Sequence, residues 1–97
     1  MINVCIIGAG KISEEYIKVI KVFKNINIAG IVSKSKKSSQ LLSKKNHIPV
    51  FGNSIDNVML NVKPDIVIIC VTTTATIDVC KKIFKYKCTT LIEKPAG

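Results

Sequence analysis

Five short runs of branched apolar residues punctuate this chain, and a segment of helical or turn-rich character follows each of the first four. Ile2 to Ile7 is apolar but for Asn3 and rich in branched residues, which suits a strand buried on both faces. From Lys11 to about Lys24 the residues Ile12, Tyr16, Val19, Ile20 and Phe23 recur every three or four positions, with lysines and glutamates between them, so an amphipathic helix is expected. Ile28 to Val32 reads as a second strand, Lys37 to Asn46 as a second helix, and Val50-Phe51 as a weak third strand. Ser54 offers a hydroxyl cap for a short helix reaching about Asn61, and Pro64 breaks the chain. Asp65 to Val71 is the clearest buried strand, Ala75 to Lys87 the next amphipathic helix, and Thr89 to Ile92 a fifth strand. Alternation of this kind implies right-handed crossovers and a mostly parallel sheet covered on both faces. The expected fold is a single α/β domain over residues 1 to 97: a doubly wound parallel sheet in three layers, α/β/α, with strand order 3-2-1-4-5.

The join between the first strand and the first helix carries Gly8-Ala9-Gly10-Lys11-Ile12-Ser13. In that position glycines have a specific use. Gly8 permits a tight turn, Gly10 lets the backbone approach a pyrophosphate, and the helix start at Lys11 and Ile12 offers free amides and a positive dipole end. Ser13 stands where a third glycine would allow close helix-to-strand packing, a mild departure.

An NAD-selective site carries an acidic residue about twenty positions further on, where it accepts from the ribose 2′-hydroxyl. Here Ser33 occupies that place, and Lys34, Ser35, Lys36 and Lys37 follow it. This stretch offers hydroxyl and ammonium donors and no anion, which suits a 2′-phosphate. NADP is therefore the expected cofactor, with NAD the alternative.

Composition removes several other classes. The net charge of +9 comes from fifteen lysines spread along the chain, with no arginine and few aromatics, so the forks and stacking platforms of nucleic-acid readers are missing. Four cysteines without C-x-x-C spacing, and a single histidine remote from them, give no metal pattern. They read as small hydrophobes of a reducing compartment. The longest apolar run, Ile66 to Val71, is far below the roughly 18 residues that span a bilayer, and no basic-then-apolar leader opens the chain. A cytoplasmic protein that binds neither membrane nor nucleic acid is expected.

Taken in order, I-I-G-A-G-K-I-S, D-I-V-I-I-C-V-T-T-T and L-I-E-K-P-A-G resemble the Rossmann-like cofactor domain of the glucose-fructose oxidoreductase, inositol dehydrogenase and MocA (Gfo/Idh/MocA) family. The resemblance implies that Lys94 lies beside nicotinamide and substrate and is the catalytic lysine, polarising the reacting oxygen and helping move its proton. It also implies that Glu93 holds the strand end or the cofactor's ribose, that Pro95 follows a cis bond, and that Thr72 and Thr73 face the cofactor from the carboxyl end of the fourth strand. Where that family has proline and histidine after the fourth strand, this chain has Thr72 and Thr76. Lys87 stands where a helix-ending glycine is common, so that turn must close with some strain or by another geometry. His47 cannot be equated with the family's catalytic histidine and reads as structural or exposed.

The family's substrate domain would begin soon after Gly97, so the 97 residues read as the dinucleotide-binding part of an NAD(P)-dependent oxidoreductase acting on a sugar or polyol-like substrate. On that reading they turn over no substrate alone, take a small-molecule substrate only with the further domain, and self-associate as a homo-oligomer through an uncovered edge or face. The competing expectation is a stand-alone nucleotide-binding or redox-sensing module without catalysis.

Overall fold

The computed structural model describes residues 1–8, 10–71 and 73–92, with the backbone alone for 73–75. Five parallel strands, β1 (Ile2–Ile7), β2 (Ile26–Val32), β3 (Val50–Gly52), β4 (Ile66–Ile69) and β5 (Thr89–Ile92), form one sheet in the order β3-β2-β1-β4-β5. The helices between them are α1 (Lys11–Ile20), α2 (Lys36–Asn46), α3 (Ile55–Val62) and α4 (Thr73–Ile83). Strand order and layering agree with the alternation in the sequence.

Side chains alternate across β1 and divide the core in two. Val4 and Ile6 join Ile17, Ile20, Ile28, Ile31, Leu42 and Ile48 under α1 and α2. Cys5 and Ile7 join Val58, Met59, Val67, Ile69, Val79 and Ile83 under α3 and α4. Val4 through Ile7 are no more than 3% exposed, and each isoleucine so buried contributes about 1.5–3 kcal/mol. The β1–β2 register slips between Val4 and Cys5, which pair with Ile28 and Gly30. The bulge directs Gly30 at α3, where an added Cβ would lie 2.7 Å from Val62 Cγ2 and 3.0 Å from Val58 Cγ1. Absence of a side chain there lets α3 sit close to the sheet.

The helix ends differ from the sequence reading in physically simple ways. The first helix stops at Ile20, because Val22 and Phe23 donate to Val19 and Ile20 and tighten into a turn. Its buried stripe is Ser13, Ile17 and Ile20, while Val19 and Phe23 are exposed. Helices α2 and α3 end on residues in the left-handed region, His47 (φ 57°) and Lys63 (φ 48°), whose amides return to Ser43 and Met59. Exposed His47 is thus a helix cap. Helix α4 ends at Ile83, earlier than the apolar periodicity suggests, with Phe84 and Tyr86 donating to Cys80 and Ile83. Lys87 has no positive φ, so the turn closes by a tight reverse bond and stores no strain at that lysine. Pro95 lies outside the described residues.

Candidate functional site

The carboxyl ends of parallel strands open onto one edge of the sheet, where ligands of such folds bind. Three strand ends are drawn together there. Gly8 donates to Val32 O at 2.6 Å, Cys70 to Ile7 O at 2.8 Å, and Ser33 to Gly52 O at 3.1 Å. Gly8 has φ 123°, and a Cβ on it would stand 2.3 Å from the Cys70 carbonyl oxygen. Glycine is required at that position by the neighbouring strand, before any ligand is considered.

Gly10 is a different case. It caps α1 with extended backbone (φ −90°), has no side chain to satisfy the first-turn amides, and its carbonyl accepts from Glu14 at 3.2 Å. Helices α2 and α3 are instead capped by Ser35 and Ser54, which accept from Ser38 and Asn57. A Cβ on Gly10 would meet nothing within 4 Å. Among the described residues nothing beyond its chain neighbours places a steric demand on Gly10. Space and free donors therefore coincide at the start of α1, the arrangement that an incoming diphosphate needs. Ser13, two residues into the helix, is fully buried and its hydroxyl has no hydrogen-bond partner among the described residues. Its small volume lets α1 pack tightly.

Beside Gly8 lies a cavity of about 660 Å³. Ile7, Gly8, Val32, Cys70 and Val71 form its floor, Ser33, Lys34, Ser35 and Ser38 one wall, and Asn53 to Asp56, Val79 and Lys82 the other. Of the residues singled out from the sequence, Gly8, Ser33 and Lys34 line this cavity, whereas Gly10, Lys11 and Ile12 do not. Thr72, Glu93 and Lys94 lie outside the described residues, and of Thr73 only its place at the start of α4 is described.

The charges and donors around the cavity differ from those the sequence suggests. Ser33 is 9% exposed and its hydroxyl donates to the Ser35 carbonyl oxygen. Its proton is spent inside the loop and is not available to a phosphate. Ser35 Oγ, in contrast, accepts from the Ser38 amide and keeps its own proton to donate. Of the run Lys34 to Lys37, only Lys34 lines the cavity. The cavity also contains an anion, Asp56, which nothing near the glycine loop announced. Its Oδ1 accepts from Tyr86 Oη at 2.6 Å and lies 3.0 Å from Lys85 Nζ. Those contacts, the tyrosine hydrogen bond foremost, hold the carboxyl below its ordinary range, so it is charged at neutral pH. With Lys34 and Lys82 also present, the lining carries two ammonium groups against one carboxylate.

Cys5 is buried in the core, the other three thiols are half-buried, and none of the four forms a disulfide. Among the described residues no three His, Cys, Asp or Glu side chains converge as a metal site, and no helix is long and apolar enough to cross a membrane.

Comparison with solved structures places the fold. An oxidoreductase from Agrobacterium radiobacter in complex with NAD+, L-tartaric acid and magnesium superimposes over 97% of this chain and 28% of its own, with TM-score 0.87 and 19% identity. A scyllo-inositol dehydrogenase from Lactobacillus casei matches over 100% of this chain and 29% of its own, with TM-score 0.86 and 15% identity. A 3-ketoreductase from Actinomadura kijaniata in complex with NADP and TDP-benzene matches over 97% and 29%, with TM-score 0.82 and 14% identity. The chain spans less than a third of the length of those proteins. No curated protein matches its sequence. The family model describing the NAD-binding Rossmann fold of the oxidoreductase family matches residues 2–97, and the chain therefore belongs to the Gfo/Idh/MocA oxidoreductases, as their NAD-binding Rossmann fold.

Proposed function

We propose that this chain is the cofactor-binding part of an oxidoreductase that prefers NADP and acts on a sugar or polyol-like substrate. The observation that carries the dinucleotide assignment is the pairing of free first-turn amides at α1 with unfilled space at Gly10. Preference for the 2′-phosphate rests on the wall at the end of β2. Lys34 supplies an ammonium, Ser35 a hydroxyl proton, and the start of α2 its positive dipole end, with no carboxylate at Ser33 to repel the phosphate. Asp56 sits on the opposite wall, tied to Lys85 and Tyr86.

The bound nicotinamide would supply the hydride acceptor or donor. This chain's residues hold and orient it: Gly8 fixes the end of β1 against β4, the α1 amides receive the diphosphate, and the Lys34 wall receives the ribose. Lys94, with Glu93 beside it, is proposed to polarise the substrate oxygen and carry its proton, with Thr72 and Thr73 facing the cofactor. Membership of the family supports the sugar or polyol class, and the inositol dehydrogenase of similar fold is in keeping with it. Turnover on this reading needs a substrate-binding domain of the kind that completes those longer proteins. Strand β5, exposed along its length with Leu91 and Ile92 about half exposed, offers an edge for that domain or for a second copy.

The test is a titration of NADPH and NADH at low and high salt, following the fluorescence of the reduced nicotinamide against a protein without tryptophan. Tighter NADPH binding whose advantage shrinks with salt is expected. Tighter binding of NADH refutes the preference, and binding of neither refutes the assignment for this chain.

A further inference from the structure

If the cavity takes a dinucleotide as just proposed, the places of its parts follow from connectivity. The diphosphate sits at the start of α1 and the ribose at the end of β2, so the base must continue across the cavity toward the wall formed by α3 and α4. That wall presents apolar Ile55 and Val79, with Val71 on the floor beside them, suited to the faces of a planar ring, and two charged side chains, Asp56 and Lys82.

Asp56 is held from behind. Tyr86 and Lys85 both engage its Oδ1 and neither lines the cavity, while Oδ2 has no partner among the described residues. An ionised carboxylate accepts hydrogen bonds and cannot donate them. We propose that Asp56, resting on the dinucleotide reading above, is the base-selecting residue of the site: its free oxygen accepts a hydrogen bond from the 6-amino group of adenine. Lys82, which lines the same wall and whose positive charge helps keep the Asp56 carboxyl ionised, donates to a ring nitrogen on the same edge. A 6-oxo purine would set a carbonyl oxygen against the carboxylate, leaving an acceptor facing an acceptor.

The experiment compares NADPH with its hypoxanthine analogue, in which oxygen replaces the 6-amino group, by nicotinamide fluorescence on the whole chain. Asp56 is half-buried, so the wild-type protein should favour the adenine form by about five- to tenfold, the range of one partly solvated hydrogen bond to a charge. Asp56→Asn should abolish or invert this ratio, because a carboxamide can turn its N–H to the 6-oxo group. Tyr86→Phe removes the clamp and keeps the acceptor, so it should retain the preference. Equal binding of both nucleotides by the wild-type chain, or an unchanged ratio in Asp56→Asn, would overturn the proposal while leaving the dinucleotide assignment standing. A merely structural Asp56 would alter stability and both affinities together, not their ratio. Failure of NADPH itself to bind sinks the dinucleotide assignment, and this inference with it.

Discussion

Replacing Gly8 by alanine should unfold the sheet edge from which the site is built. At φ 123° an L side chain is strained, at about 1–3 kcal/mol. The new Cβ would also stand 2.3 Å from the Cys70 carbonyl oxygen and 2.9 Å from its carbon. Both are backbone atoms of β4's end, and that end is tied back to β1 by the 2.8 Å bond from Cys70 to Ile7. No rotamer change relieves the overlap, which adds about 1–3 kcal/mol. The total of about 2–6 kcal/mol is a large share of the roughly 5–15 kcal/mol that stabilises a domain of this size. At about 4–8 °C per kcal/mol, Tm should fall by at least about 8 °C. Thermal melts followed by far-ultraviolet circular dichroism would show it. Because the collision is with backbone, Cys70→Ala should not rescue Gly8→Ala. A variant melting with the wild type, or a full rescue by Cys70→Ala, would refute the reasoning.

Three other outcomes are expected. Gly30→Ala should destabilise by about 1–3 kcal/mol through contact with the stiff Val62 and Val58 side chains; the double variant with Val62→Ala should be more stable than additivity allows, and strict additivity in urea melts would contradict this. Ser13→Ala removes a fully buried hydroxyl without a partner among the described residues and improves helix propensity, so stability should rise by about 1 kcal/mol, and a loss in the same melts would count against the packing described. Burial pushes the Cys5 thiol up to about 12, with Cys88 adding to the shift. Because the folded pKa is raised, this contribution is complete below the ordinary thiol range and is lost as pH climbs toward 12. Cys5→Ala should lessen the alkaline loss of stability between those limits, and identical alkaline melts would show the thiol plays no part.

Much of the fold was legible because buried parallel strands must be apolar on both faces and helices must not be: Ile2–Ile7 and Ile66–Ile69 announce themselves, and Ser54 caps the helix it precedes. Helix ends were less legible. The period through Val19 and Phe23 continues past the point where Ile20 ends α1, and His47 and Lys63 close their helices in a conformation that glycine usually signals. The phosphate loop could be read because its residues are adjacent in sequence. Asp56 could not, since its partner Tyr86 lies 30 residues away and only the crossover from α3 to α4 brings them together. The spent proton of Ser33 was equally hidden, being a matter of loop geometry and not of residue type.

Gly10 separates ligand from fold, because among the described residues nothing beyond its own chain neighbours stands within 4 Å of a Cβ placed there. Gly10→Val should therefore cost no more than about 1 kcal/mol as a poorer helix cap, yet lower NADPH affinity at least about tenfold by filling the approach to the α1 amides. A nearly unchanged melt with a weakened titration is the predicted result. A variant that binds NADPH as tightly as the wild type would show that the diphosphate does not lie at the start of α1.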